Sequence, residues 1–233
     1  MIYISGDIHG EVYRVEEAIK QLHMTAADTI VLLGDVCMNY FGNDNGDRFR
    51  KYTLNKLGIQ ILCIHGNHEM RPDTVDSYHE ILWHGGIVYA EDAYPNLLFA
   101  KDGEIYDLDG YKALVIGGAY SVDKDYRLQV NAMWFADEQP SAEIKARVEQ
   151  KLEDLRWKVD LVLSHTCPEK YIPTEALLTN VDQSAVDRST ENWLGTIEGK
   201  LDYQAWCCAH WHINKHVDRI HFLFDDYECL TGR

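Results

Sequence analysis

The chain has 233 residues, 22 Lys plus Arg against 38 Asp plus Glu, and a formal net charge of −16 with histidine neutral. That acidic balance argues against a protein that wraps long nucleic acid, because phosphate neutralisation needs clustered Lys and Arg. No apolar run approaches the ~18 residues of a membrane span, and this length buries roughly 70–75% of the unfolded surface, so one domain over residues 1–233 is expected.

In chain order, Ile2–Ser5 is a β-branched run expected as a strand, and it runs straight into Gly6-Asp7-Ile8-His9-Gly10. Asp7 and His9 follow so soon after Met1 that a cytosolic chain with reduced thiols is expected. The cysteines at 37, 63, 167, 207, 208 and 229 show no CxxC spacing, so neither a zinc knuckle nor a redox motif is indicated. Cys63, Cys207 and Cys208 sit in apolar runs and read as small buried hydrophobes. Glu11–His23 sets Val15, Ala18, Ile19 and Leu22 on one helical face. Thr29–Leu33 is the next strand and ends in Gly34-Asp35; a helix over Asp47–Leu57 stops at Gly58. Ile59–Ile64 is a strand ending in His65-Gly66-Asn67-His68-Glu69.

Weaker strands follow at Gly86–Ala90 and Leu97–Asp107, then a stronger one at Ala113–Gly117. Ser141 caps a helix expected over Ser141–Trp157. Asp160–Ser164 runs into His165, Ala205–Ala209 into His210-Trp211-His212, and Arg219–Phe224 is the last expected strand. Strands alternating with helices indicate an α/β layered domain.

Ligands in open α/β sheets bind beyond the carboxyl ends of the strands. If these strands are neighbours, Asp7, His9, Asp35, Asn67, His165, His210 and His212 gather at one sheet edge. Imidazole and carboxylate donors suit divalent manganese first, with Fe, Zn, Ni or Co as alternatives, and the lack of cysteine among them argues against a structural zinc site. Seven ligands exceed the need of one ion with open positions and suit two ions sharing a bridging carboxylate. Two carboxylates against two divalent ions leave the inner shell positive, so the acidity belongs to the outer surface and favours compact substrates over polyanions.

The ordered blocks GDIHG, GD, GNHE, H and AHWH, spanning residues 6 to 212, resemble the calcineurin-like metallophosphoesterases. The resemblance implies a four-layer sandwich of two mixed β-sheets flanked by α-helices, with the metal site at the carboxyl ends of the strands. It implies that Asp7, His9 and His212 hold one metal, Asn67, His165 and His210 the other, and Asp35 bridges them. The implied activity is dinuclear metal-dependent hydrolysis of a phosphomonoester or small phosphodiester by a metal-bridged hydroxide, with His68 giving the leaving group its proton. The alternatives are a nuclease or nucleotide phosphodiesterase, and a non-catalytic metal-binding scaffold on the same fold. The partner is expected to be a small phosphorylated molecule, with no long nucleic acid and no membrane, in the cytoplasm; oligomeric state is open.

The chain departs from the serine/threonine protein phosphatase branch of that family. Met38 and Asn39 stand where that branch has an acid and a phosphate-binding arginine, and His65 replaces the arginine before its GNHE block. Asn39 is therefore a candidate partner for His68 or substrate, and Tyr40, Tyr120 and Arg127 are candidate substrate contacts in polar, aromatic loops. Arg71 is expected either to reach phosphate or to form a surface salt bridge, and Glu69 to be structural. His23, His79, His84, His216 and His221 are expected to be surface or packing residues.

Overall fold

The computed structural model describes residues 1–230. Its elements run β1 (Ile2–Ser5), α1 (Val12–Gln21), β2 (Thr29–Leu32), α2 (Asp44–Asn55), β3 (Gln60–Cys63), β4 (His79–Trp83), β5 (Gly86–Ala90), β6 (Leu97–Ala100), β7 (Ile105–Leu108) and β8 (Tyr111–Ile116). They continue with α3 (Lys124–Gln129), α4 (Ala142–Asp154), β9 (Leu161–Ser164), α5 (Ser189–Glu198), β10 (Ala205–Cys208), β11 (Lys215–Val217), β12 (Ile220–Phe222) and β13 (Tyr227–Leu230), with three short 3-10 turns between them.

Two mixed sheets result. One has seven strands in the order β13-β1-β2-β3-β6-β5-β4, the other six in the order β11-β12-β10-β9-β8-β7. Strands β1, β2, β3 and β6 are mutually parallel, as are β8, β9, β10 and β12; β4, β5, β7, β11 and β13 run antiparallel to their neighbours. The parallel strands read as unbroken apolar runs because both of their faces are covered.

Strand alternation splits each run between two cores. Ile4, Val31, Leu33 and Leu62 meet Val115, Leu163 and Cys207 between the sheets. Tyr3, Ile30, Leu32 and Ile61 turn outward against Val15 and Ala18 of α1 and Leu54 of α2. Leu114, Val162 and Trp206 turn to the far side against Val148 and Leu152 of α4 and Trp193 and Leu194 of α5. The four-layer α/β sandwich expected from the resemblance is what forms.

Several boundaries differ from expectation for local reasons. Leu97–Asp107 is two strands, and the chain crosses from the first sheet to the second between them. The helix expected to reach Trp157 stops at Asp154, because Arg156 and Trp157 adopt left-handed backbone with φ of 53° and 54°. Ser141 does cap it, its Oγ accepting from the Ile144 amide at 3.3 Å. Asn43 caps α2 in the same way and starts it at Asp44 rather than Asp47.

Candidate metal centre

The carboxyl ends of β1, β2 and β3 in one sheet and of β9 and β10 in the other meet at one edge of the sandwich. Backbone there is unusual. His9, Asp35, His210 and His212 hold φ of 46°, 48°, 68° and 51°. Left-handed backbone at non-glycine residues costs on the order of 1–3 kcal/mol each and persists only where the surroundings over-determine it. Part of that constraint is visible: the His9 amide donates to the Asp35 carbonyl at 2.8 Å. Two glycines are sterically required. A Cβ on Gly34 would lie 2.2 Å from His165 Nδ1, and one on Gly66 would lie 2.0 Å from Asp35 Oδ1.

The first cluster is Asp7, His9 and His212. Asp7 Oδ2 lies 3.2 Å from His9 Nε2 and 3.0 Å from His212 Nε2, and the two imidazole nitrogens are 2.9 Å apart. Asp7 Oδ1 is buried and has no hydrogen-bond partner. Three donor atoms for a cation thus converge, beside an orphaned carboxylate oxygen that burial alone would penalise.

The second cluster is Asn67, His165 and His210. The Leu33 carbonyl can only accept, so His165 Nδ1, 2.7 Å away, carries the ring proton. Asn67 Nδ2 donates to Ser121 Oγ at 2.9 Å, which aims Asn67 Oδ1 at His165 Nε2, 2.8 Å away. In a neutral ring these are two acceptors face to face, an arrangement a cation resolves. The His210 ring centroid is 5.0 Å from that of His165. Asp35 stands between the clusters, its Oδ2 3.9 Å from His9 Nδ1 and 3.7 Å from His165 Nε2. These six residues with Asp35 therefore fit divalent cations by donor type and by the contact of Asn67 Oδ1 with His165 Nε2.

Electrostatics agree with that fit. Burial works to raise the Asp7 carboxyl, but the imidazoles of His212 and His9 overcome it and hold the group well below the usual carboxylate range. Burial likewise opposes Asp35 ionisation, and His165, His68 and His9 win. Burial pushes His210 down to about 3, with His165 adding to the shift, which keeps its ring neutral and free to ligate.

His68 follows Asn67 and points into the same space. Its amide donates to Asp35 Oδ1 at 2.8 Å, and its Nε2 lies 3.9 Å from Asp35 Oδ2. Among the described residues its ring makes no hydrogen bond. Burial lowers its pKa, with Asp35 opposing. Glu69 is fully buried, and its carboxyl oxygens accept from the Val36 and Met38 amides, each at 3.2 Å, which pins the loop that carries Asp35.

A cavity of about 230 Å³ opens from the clusters, with Tyr120, Asp123 and Trp211 on its wall. Part of its lining is apolar, formed by Leu177, Leu178, Val181 and Val186. Arg188 is the one Lys or Arg lining it; its Nη2 donates to Gln183 Oε1 at 3.1 Å, and it forms no ion pair among the described residues. Sequence patterning did not find this wall, because the segment before α5 carries neither helical nor strand periodicity.

The remaining candidates fall differently. Asn39 is buried away from the cavity, its Oδ1 accepting from the Tyr78 hydroxyl at 3.1 Å. Tyr40 packs edge-on against Phe41 and Phe135. Arg127 donates through Nε to Asp123 Oδ2 at 2.7 Å and does not itself line the cavity. Arg71 neither lines the cavity nor bridges at the surface: it is buried, with Nη1 2.7 Å from Asp102 Oδ2 and Nε donating to the Asp137 carbonyl at 2.8 Å.

The sequence model of the calcineurin-like phosphoesterases matches residues 1–214. The crystal structure of TT1561 of Thermus thermophilus aligns with a TM-score of 0.53 at 14% identity, over 96% of this chain and 87% of that one. That likeness is one of fold. No curated protein matches the chain.

Proposed function

The chain belongs to the calcineurin-like phosphoesterase family, a family of metal-dependent phosphoesterases, and we propose that it hydrolyses a small phosphomonoester or phosphodiester with two divalent ions, manganese first among them. The observation that carries this reading is the convergence of metal-ligating atoms: Asp7, His9 and His212 within 3.2 Å, and Asn67 Oδ1 against His165 Nε2 at 2.8 Å. Asp7, His9 and His212 would hold one ion, Asn67, His165 and His210 the other, and Asp35 both. When bound, such ions neutralise the phosphoryl oxygens and supply an acidified water as nucleophile.

The chain's own groups do the rest. His68, beside the second cluster and partly shielded from solvent, passes a proton to the departing alkoxide oxygen; general acid help of this kind contributes about 10²–10⁴-fold. The Asp35 contact to its amide holds the histidine's backbone in register with the clusters. Arg188, which makes no ion pair among the described residues, gives the cavity a cation to meet an anionic oxygen of the substrate, the role that Asn39 does not perform. The apolar wall at Leu177, Leu178 and Val181 favours an ester whose alcohol carries an apolar or aromatic body.

A cavity of this size suits small substrates rather than a polymer. No helix among the described residues is long and apolar enough to cross a membrane. The six cysteines are all free.

The test is a panel of aryl and alkyl phosphomonoesters and bis-aryl diesters, assayed with Mn²⁺ and after chelation. Metal-dependent turnover of either class is expected. Turnover of diesters and nucleotides alone would favour the nucleotide phosphodiesterase reading, and no turnover with any divalent ion would favour a binding scaffold.

A further inference from the structure

His216 and His221, which the sequence offers no reason to single out, are brought together with a buried thiol and a carboxylate. In the six-stranded sheet Cys207 of β10 is the register partner of His221 on β12, and His221 is in turn the partner of His216 on β11. Register partners project to the same face of a sheet, so the three side chains stand in a row. Glu228 comes from β13 of the other sheet, where it pairs with Ile4.

Its Oε1 lies 2.6 Å from His221 Nδ1 and 3.1 Å from His216 Nε2. The two imidazoles stack with centroids 4.1 Å apart and planes 5° from parallel. The donor atoms of Cys207, His221 and Glu228 all lie within 4.8 Å of one another.

Ion pairing between His221 and Glu228 leaves the buried Cys207 and the poor alignment at His221 Nδ1 unexplained. His221 Nδ1 is buried and, despite its closeness to Glu228, has no properly aligned hydrogen-bond partner. Cys207 is 1% exposed and belongs to the core between the sheets. One thiol, two imidazoles and one carboxylate are a donor set for a tetrahedral ion of the zinc type.

The geometry points to a further divalent-metal site, separate from the catalytic cluster, in which Cys207 Sγ, His221 Nδ1 and a Glu228 carboxylate oxygen bind a zinc-type ion with His216 Nε2 as fourth ligand. On binding, the Cys207 thiol gives its proton to solvent and the sulfur ligates as thiolate. The ion links the two sheets, because Glu228 belongs to one and the other three ligands to the other. It also braces β10, the strand that leads directly into His210 and His212. The two kinds of site differ in softness: a thiolate selects zinc, whereas the catalytic set of imidazoles, carboxylates and an amide accepts harder ions such as manganese.

Cobalt titration of the metal-stripped full-length protein tests this. Thiolate ligation gives cobalt an intense near-ultraviolet charge-transfer band that oxygen and nitrogen ligands do not produce. The expected result is a band whose final intensity corresponds to one thiolate-bound cobalt per chain, is abolished in Cys207→Ser, and needs at least tenfold more cobalt in His221→Ala and Glu228→Gln. Zinc should raise the melting temperature of the wild type by more than that of Cys207→Ser, whose catalytic centre is intact. Absence of the band in the wild type, or its persistence in Cys207→Ser, overturns the site. If Cys207→Ser does not fold, the His221→Ala and Glu228→Gln titrations decide alone, and unchanged cobalt affinity in both overturns the site.

Discussion

Asn67 Oδ1 faces His165 Nε2 at 2.8 Å, and in the neutral ring, whose Nδ1 proton goes to the Leu33 carbonyl, both atoms are acceptors. With a cation between them the contact is favourable; without one it sets two lone pairs against each other. Replacing His165 or Asn67 with Ala is therefore expected to remove one ion while the Asp7, His9 and His212 cluster keeps the other. Metal analysis after equilibration with Mn²⁺ should find about half the wild-type content. Undiminished content in His165→Ala would remove that histidine from the ligand set.

His68→Ala separates chemistry from metal binding. The ring makes no hydrogen bond among the described residues, and its removal leaves the cluster contacts in place. Turnover is expected to fall about 10²–10⁴-fold with alkyl esters while bound metal stays constant. An aryl ester with an acidic alcohol needs less protonation, so its loss should be smaller. Equal losses on the two esters would mean that His68 does not serve the leaving group.

Much of the centre was legible because each polar block follows an apolar run: Asp7 and His9 after Ile2–Ser5, Asp35 after Thr29–Leu32, His165 after Leu161–Ser164. A strand buried on both faces announces itself by composition, and what sits just beyond its end is read in the same glance. Elements without that contrast stayed hidden. His79–Trp83 forms a largely exposed edge strand, and β13 is short and mixed in polarity. Arg188 and Glu191 flank the start of α5, whose buried face includes Thr190 and Glu191 and so does not look apolar. The left-handed backbone at His9, Asp35, His210 and His212 leaves no composition signal, because tertiary contacts impose it. Cys207, His221 and Glu228 share no sequence spacing; only the pairing of β10 with β12 and the closure of β13 on β1 unite them.

Arg188→Ala should weaken substrate binding more than chemistry. A charge-assisted hydrogen bond is worth about 1.5–3 kcal/mol, so KM is expected to rise roughly tenfold or more, with kcat nearly constant. Arg188→Lys keeps the charge but loses the planar fork, and should recover part of the affinity. A KM within twofold of wild type in Arg188→Ala would show that the substrate's anionic oxygens are held elsewhere.

Arg71 and Asp102 form a buried pair, and Asp102 Oδ1 also accepts from the Gly117 amide at 2.6 Å, while Arg71 Nη2 is buried without a hydrogen-bond partner. Removing one partner strands the other's charge, at a cost of about 3–5 kcal/mol. For a chain of this length each kcal/mol moves the melting temperature by roughly 2–4 °C, so Arg71→Ala is expected to melt about 10 °C lower. Arg71→Lys should rescue little, since one ammonium cannot serve both Asp102 and the Asp137 carbonyl. A melting temperature unchanged in Arg71→Ala would deny the pair a structural role.

Glu69 gives the metal-free protein a pH dependence of definite sign. Burial, with the nearby Asp35 carboxylate adding to it, pushes Glu69 up to about 8 from its ordinary 4.5, against the pull of the Val36, Gly66 and Met38 amides. The folded state therefore holds a proton that the unfolded chain releases above its ordinary pKa. Stability from this group is fully present below about pH 4.5 and is lost as pH rises through about 8. Other groups titrate in the same window, so the measurement is a difference: melting temperatures of metal-free wild type and Glu69→Gln across that range. The wild type should lose ground to the variant as pH rises, since the glutamine side chain has no proton to surrender. Parallel curves would mean that Glu69 is already ionised in the folded state, held so by the amides it accepts from.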